Sequence, residues 1–204
     1  MMKFSADEIP VMESFYTIQG EGYHSGRSAF FIRTAGCNVG CVWCDVKESW
    51  DVTPAQLKPI AVLVEEVLAS KTDFVVITGG EPSMYDLTPI TKALKEVGME
   101  IAIETSGAYP MTGDFDWICL SPKKFKMPLE ENYQLANELK MIIYNQHDFK
   151  WAAELAEKVK PECQLFLQPE WEREDKMLPF IIDYVKKNIQ WKISLQTHKY
   201  LNIP

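Results

Sequence analysis

The 204-residue sequence predicts an α/β fold with a parallel sheet, and three observations carry that expectation. Short β-branched and aromatic runs alternate with amphipathic helical patterns. The strand runs are almost continuously apolar, as expected of strands covered on both faces. The residues of unusual chemistry fall just after the strands, where parallel α/β proteins place their sites. About six βα units is fewer than the eight of a closed barrel. An incomplete, TIM-like barrel therefore fits best, and a flat doubly wound sheet is the alternative that periodicity leaves open. The length suits one domain spanning residues 1–204.

In chain order, the strands are expected at 29–34, 74–78, 100–104, 116–120, 139–144, 164–167 and 191–195. Helices are expected over 58–70, where Ile60, Leu63, Val64, Val67 and Leu68 recur at helical spacing, and over 87–97, stopped by Gly98. Two more are expected over 148–159 and 176–187. The last strand is expected to run almost to the end of the sequence. The segments after the strands are the cysteine-rich loop, Gly79–Gly80–Glu81–Pro82, Thr105–Ser106–Gly107, Ser121–Pro122–Lys123 and Gln168–Pro169.

The formal net charge is −8, which argues against a nucleic-acid surface. No apolar run approaches a membrane span, and the start MMKFSADEIP lacks the core of a signal peptide, so a cytoplasmic protein is expected. Arginine is rare: Arg27, Arg33 and Arg173 are the three. Arg27 and Arg33 precede the cysteines. A guanidinium fork suits a planar carboxylate, so these two are candidates for an anionic ligand or for surface ion pairs.

Of five cysteines, Cys37, Cys41 and Cys44 stand as C-x3-C-x2-C, while Cys119 and Cys163 are distant. Structural zinc uses four ligands, usually in two pairs. No second pair exists, although Cys119, Cys163 or His24 could complete one site. An all-cysteine 4Fe–4S cluster also takes four thiolates. Three leave one iron open, and an open position on a metal centre is a reactive one.

With Trp43 before the last cysteine, this pattern resembles the radical S-adenosylmethionine superfamily, and Gly79–Gly80–Glu81–Pro82 resembles its GGEP segment. The resemblance implies a 4Fe–4S cluster on Cys37, Cys41 and Cys44, with S-adenosylmethionine on the fourth iron. Reductive cleavage would then give methionine and a 5′-deoxyadenosyl radical. The flanks are more specific. SFYTIQGEGYHSGRSAFFIRTAGCNVGCVWCD, SPK at 121–123 and the ending LQTHKYLNIP resemble the 7-carboxy-7-deazaguanine synthase family. That resemblance implies a lyase that turns 6-carboxy-5,6,7,8-tetrahydropterin into 7-carboxy-7-deazaguanine, in deazapurine biosynthesis of the queuosine type. The ring contracts after hydrogen is taken from the carbon bearing the carboxylate, and ammonia leaves.

The resemblance assigns S-adenosylmethionine to Trp43, Cys44 and Asp45 beside the cluster. Further along the chain it assigns the same ligand to Gly80, Ser106, Ser121, Pro122, Lys123 and Gln168. It assigns substrate to Ile18, Gln19, Gly20 and Glu21, the last facing the guanidine-like edge of the pterin. Arg33 matches the residue for the substrate carboxylate, and Thr78, His198 and Pro204 complete that set. Pro204 implies that an extended C-terminus lowers activity. The family's threonine or serine for Mg²⁺ is replaced by Val46, whose side chain has no oxygen for a hard cation. Weak or absent Mg²⁺ dependence is expected. The segment CDVKESW is expected to cover the cluster from water. A flavodoxin-type electron donor and a homodimer are also implied. Two rivals stand: a glycyl-radical activase, which acts on a protein, and a zinc or iron–sulfur electron-transfer module.

Overall fold

The computed structural model describes residues 7–44 and 46–204. Its core is one nine-stranded sheet in the order β3-β1-β2-β4-β5-β6-β7-β8-β9. In chain order these are β1 (Glu8–Ile18), β2 (Ser28–Thr34), β3 (Leu57–Pro59), β4 (Phe74–Gly79) and β5 (Glu100–Thr105). They continue as β6 (Trp117–Leu120), β7 (Glu138–Ile143), β8 (Gln164–Pro169) and β9 (Trp191–Ile193). The helices are α1 (Ile60–Ala69), α2 (Thr88–Glu96), α3 (Glu130–Leu135), α4 (His147–Ala156), α5 (Glu174–Lys187) and α6 (Thr197–Leu201). From β2 through β4 to β9 every pairing is parallel, while β1 runs antiparallel to both β2 and β3.

The sheet does not close, since β3 and β9 are its two edges. The loop between β1 and β2 bridges the gap. Gly22 N–H donates to Ser194 Oγ beyond β9 at 2.9 Å, and Thr197 N–H donates to the Gly20 carbonyl at 3.0 Å. This is the partial barrel the alternation predicts.

Side-chain alternation along each strand separates a dry exterior layer from a polar interior. Val75 and Ile77 of β4 and Ile101 and Ile103 of β5 pack with Leu63 and Val67 of α1 and Ile90 and Leu94 of α2. Leu139, Met141 and Ile143 of β7 pack with Ala152 and Leu155 of α4 and Met177 and Ile181 of α5. Each fully buried Leu, Ile or Val contributes roughly 1.5–3 kcal/mol. The intervening positions form a small apolar cluster of Phe74, Val76 and Ala102. They also include the buried Glu138, Lys140 and Gln168.

Four expectations change. β1 and β3 extend the sheet beyond the strands read from the sequence. The final strand stops at Ile193, and the tail turns into α6 rather than continuing as strand. α3 adds a short turn of helix before β7. Leu68 is exposed, so the apolar stripe of α1 is narrower than its spacing suggests. Among the described residues, no helix is long and apolar enough to cross a membrane.

Candidate active site

A cavity of about 540 Å³ opens at the C-terminal ends of the parallel strands. That size suits a small molecule and cofactor. Cys37, Cys41 and Cys44 all line it. Their loop is held from two sides. Gly36 N–H donates to the Ser49 carbonyl at 2.6 Å and Cys37 N–H to the Trp50 carbonyl at 3.2 Å. On the other side, Glu81 N–H donates to the Gly36 carbonyl at 2.9 Å and Gly80 N–H to the Thr34 carbonyl at 3.0 Å. A Cβ on Gly80 would collide with the Gly36 carbonyl, so glycine is what allows the turn after β4 to lie against the cysteine loop.

Glu81 is 1 % exposed and acts as the hub of this end of the cavity. Its Oε1 accepts from Ser83 N–H at 3.1 Å, Ser83 Oγ at 2.6 Å and Thr105 Oγ1 at 2.5 Å. Its Oε2 accepts from the Ser106 N–H at 2.8 Å and from the Ser106 hydroxyl. One carboxyl thus joins the ends of β4 and β5, and Ser106 is both a cap and a lining residue. Nearby, Lys123 Nζ donates to the Ser121 carbonyl at 2.8 Å and Oγ at 2.6 Å, and lies 5.6 Å from the Trp43 ring centre. Burial pulls the Lys123 ammonium below its ordinary range.

The floor is a charged network. Lys140 Nζ on β7 donates to Glu21 Oε2 at 2.5 Å and Glu104 Oε2 at 2.6 Å. Gln196 Nε2 donates to Glu21 Oε1 at 2.8 Å, and Gln19 Nε2 to Glu104 Oε1 at 3.1 Å. Burial works to raise the Glu21 carboxyl. The Lys140 charge, with hydrogen bonds from Lys140, Gln196 and Gln168, overcomes it and brings the pKa down to about 2. A Cβ on Gly20 would run into the His198 ring, so this glycine lets α6 close over the loop.

Of the residues singled out in the sequence, Ile18, Gln19, Gly20, Glu21, Arg33, Trp43 and Thr78 line this one cavity. So do Gly80, Ser106, Ser121, Lys123, Gln168, His198 and Pro204. Arg33 also pairs through Nε with Glu13 at 2.7 Å, so its wall position and its ion pair coexist. Val46 and Trp50 line the cavity too, in keeping with a cover over the thiols. Pro122 is buried but is not among the lining residues. Asp45 lies outside the described residues. Arg27 is no ligand candidate: it pairs with Asp73 at 3.0 Å and Glu100 at 2.7 Å, away from the cavity. Glu104, Lys140 and Gln196 had no signal in the sequence, because nothing local marks their long-range pairing.

The donor set fits an iron–sulfur cluster. Three soft thiol ligands border the cavity, and neither Cys119, Cys163 nor His24 does. Burial raises the Cys37 thiol and takes Cys41 up to about 11. Among the described residues, no three His, Cys, Asp or Glu side chains converge on a single-ion site.

A partial barrel with three thiols and a glycine turn at its open end defines a radical S-adenosylmethionine protein. The sequence model of the Radical SAM superfamily matches residues 31–162. A 7-carboxy-7-deazaguanine synthase from Flavobacterium psychrophilum is 56 % identical, over 96 % of this chain and 93 % of its own length. One from Synechocystis is 50 % identical, over 95 % of this chain and 93 % of its own. The crystal structure of QueE from Escherichia coli superposes with a TM-score of 0.84 at 29 % identity, covering 92 % of this chain and 93 % of that one. The chain belongs to the 7-carboxy-7-deazaguanine synthase family of the radical SAM superfamily. A 4Fe–4S cluster and S-adenosylmethionine go with that superfamily.

Proposed function

We propose that this chain, acting as a single domain, converts 6-carboxy-5,6,7,8-tetrahydropterin to 7-carboxy-7-deazaguanine with loss of ammonia, in deazapurine biosynthesis. The observation that carries the reading is one cavity bordered by Cys37, Cys41 and Cys44 at one end and by Glu21 and Arg33 elsewhere. When bound, the cluster and S-adenosylmethionine supply one-electron reductive chemistry that yields a hydrogen-abstracting adenosyl group.

The chain's own residues bind, orient and shield. Cys37, Cys41 and Cys44 hold the cluster. The turn at Gly79 and Gly80 brings backbone close to S-adenosylmethionine, and Trp43, Ser106, Ser121, Lys123 and Gln168 take the rest of that ligand. Glu21 and Gln19 accept the donor edge of the pterin. Arg33 keeps its terminal nitrogens for the substrate carboxylate while Nε rests on Glu13. Thr78, Gly20, His198 and Pro204 complete the pterin side. Val46 and Trp50 keep water from the thiols, which suits radical chemistry. Mg²⁺ dependence is weak or absent, because Val46 offers no oxygen; strong stimulation by Mg²⁺ at saturating substrate contradicts this. A flavodoxin-type protein supplies the electron, and the chain works as a cytoplasmic homodimer.

The test is anaerobic turnover. The reconstituted protein with S-adenosylmethionine, reductant and the carboxypterin should yield 7-carboxy-7-deazaguanine by mass spectrometry, and Cys41→Ala should yield none. Adenosyl cleavage without that product would keep the superfamily and remove the substrate.

A further inference from the structure

The cavity floor holds a lysine that the proposed reaction does not itself require. Lys140 is 2 % exposed and sits in the middle of β7, between Leu139 and Met141 of the exterior layer. Its three donors serve two carboxyl groups that reach it from different parts of the chain. Glu21 comes from the loop after β1, and Glu104 from β5. Each carboxyl spends one oxygen on Lys140 and accepts an amide from Gln196 or Gln19 on the other. A carboxylate has about four lone-pair sites, so each keeps accepting capacity. Two carboxylates against one ammonium leave the floor negative by one. That balance favours a ligand face rich in N–H donors.

We propose that Lys140 is the positioning residue of the cavity floor, holding Glu21 and Glu104 as two acceptors turned to the donor edge of the bound heterocycle. The proposal rests on the pterin reading above. Its physical content is charge state and geometry together. Without the cation, two close carboxylates share a proton, because like charges at short range do not both ionise. One acceptor then becomes a donor facing the ligand's own N–H groups. The other groups facing Lys140 sharpen the effect. Glu138 on the same strand and Cys119 on β6 bear on it, and Lys123 is a second cation near enough to feel its charge. Gln168 on β8 adds a hydrogen bond to Glu21.

The experiment compares wild type, Lys140→Met and the double variant Glu104→Gln/Lys140→Met. Carbon-13 NMR of glutamate-labelled, pterin-free protein follows the carboxyl groups with pH. Anaerobic calorimetry then measures binding of 6-carboxy-5,6,7,8-tetrahydropterin with S-adenosylmethionine present and no reductant. In Lys140→Met, the two facing carboxyls should hold one proton between them, so that the carbon-13 signals show a floor carboxyl titrating well above its wild-type range. Pterin affinity of Lys140→Met should fall by about tenfold or more at neutral pH and recover as pH rises, since deprotonation restores the acceptor. The double variant removes the shared proton, so its affinity should be higher than that of Lys140→Met at neutral pH and independent of pH. A loss equal at every pH, with no gain in the double variant, would overturn the proposal and leave Lys140 a packing residue. Unchanged affinity in Lys140→Met would overturn it as well. If wild type does not bind the pterin, the substrate reading falls, and the carboxyl titration alone decides whether Lys140 sets the charge of the floor.

Discussion

Glu81 Oε1 accepts a hydrogen bond from the Thr105 hydroxyl at 2.5 Å, and this contact ties the turn after β4 to the end of β5. The same carboxyl takes both donors of Ser106 and both of Ser83. A glutamine here would turn one acceptor oxygen into a donor facing donors. Glu81→Gln is expected to cost about 2–4 kcal/mol, in the range for breaking a buried hydrogen-bonded network. Denaturant unfolding reads that cost, and equilibrium dialysis should show weaker S-adenosylmethionine binding in the variant. A wild-type midpoint would contradict the hub assignment.

Gly80→Ala tests close approach rather than hydrogen bonding. The new methyl meets the Gly36 carbonyl and the Cys37 side chain, both in the cysteine loop. The loop must shift, so iron content after reconstitution should fall and S-adenosylmethionine affinity should drop about tenfold, worth ~1.4 kcal/mol. Iron content and affinity equal to wild type would show that the turn does not set the loop.

Arg33 and Glu13 separate binding from stability. Lysine lacks the planar fork, so Arg33→Lys is expected to raise the KM for the carboxypterin about tenfold, ~1.4 kcal/mol. Glu13→Ala removes a pair whose acidic partner is 46 % exposed, so unfolding free energy should change by less than about 1 kcal/mol. Steady-state kinetics and thermal unfolding check the two. A large loss of stability in Glu13→Ala would mean that the pair is structural first.

Glu138 carries a pH signature. Burial holds its carboxyl above the ordinary value of 4.5, against the lowering effect of Lys140. A raised carboxyl binds its proton more tightly in the folded state. Its contribution is complete below the unfolded value of 4.5 and is lost as pH rises through the folded value. Glu138→Gln cannot ionise, so its melting temperature should gain on wild type as pH rises from the unfolded value to the folded one, and keep that gain above it. Parallel curves for the two proteins would contradict the assignment.

The parallel strands and the strand-end site were legible because both depend on local pattern. Phe74–Gly79 is apolar throughout its first four residues and then breaks into glycine, a signal any parallel strand of this kind gives. β1 was not legible. Pro10 lies within it and the polar Glu13, Ser14 and Thr17 interrupt its apolar residues, so it carries no continuous run. Lys140 was hidden for a different reason. In ELKMII it is one charge in an apolar strand, and its partners lie 36 and 119 residues away. A buried ion pair is invisible until the fold supplies the second half. The helical turn at 197–201 was masked by its brevity, since five residues do not define a period.

In the proposed reaction, hydrogen is taken from the pterin carbon bearing the carboxylate, in the cavity between the thiols and the Lys140 floor. The direct measurement uses carboxypterin deuterated at that carbon, with anaerobically reconstituted protein, S-adenosylmethionine and reductant. Mass spectrometry should find deuterium in the 5′-deoxyadenosine, together with 7-carboxy-7-deazaguanine. Unlabelled 5′-deoxyadenosine with no deazaguanine product would contradict the account.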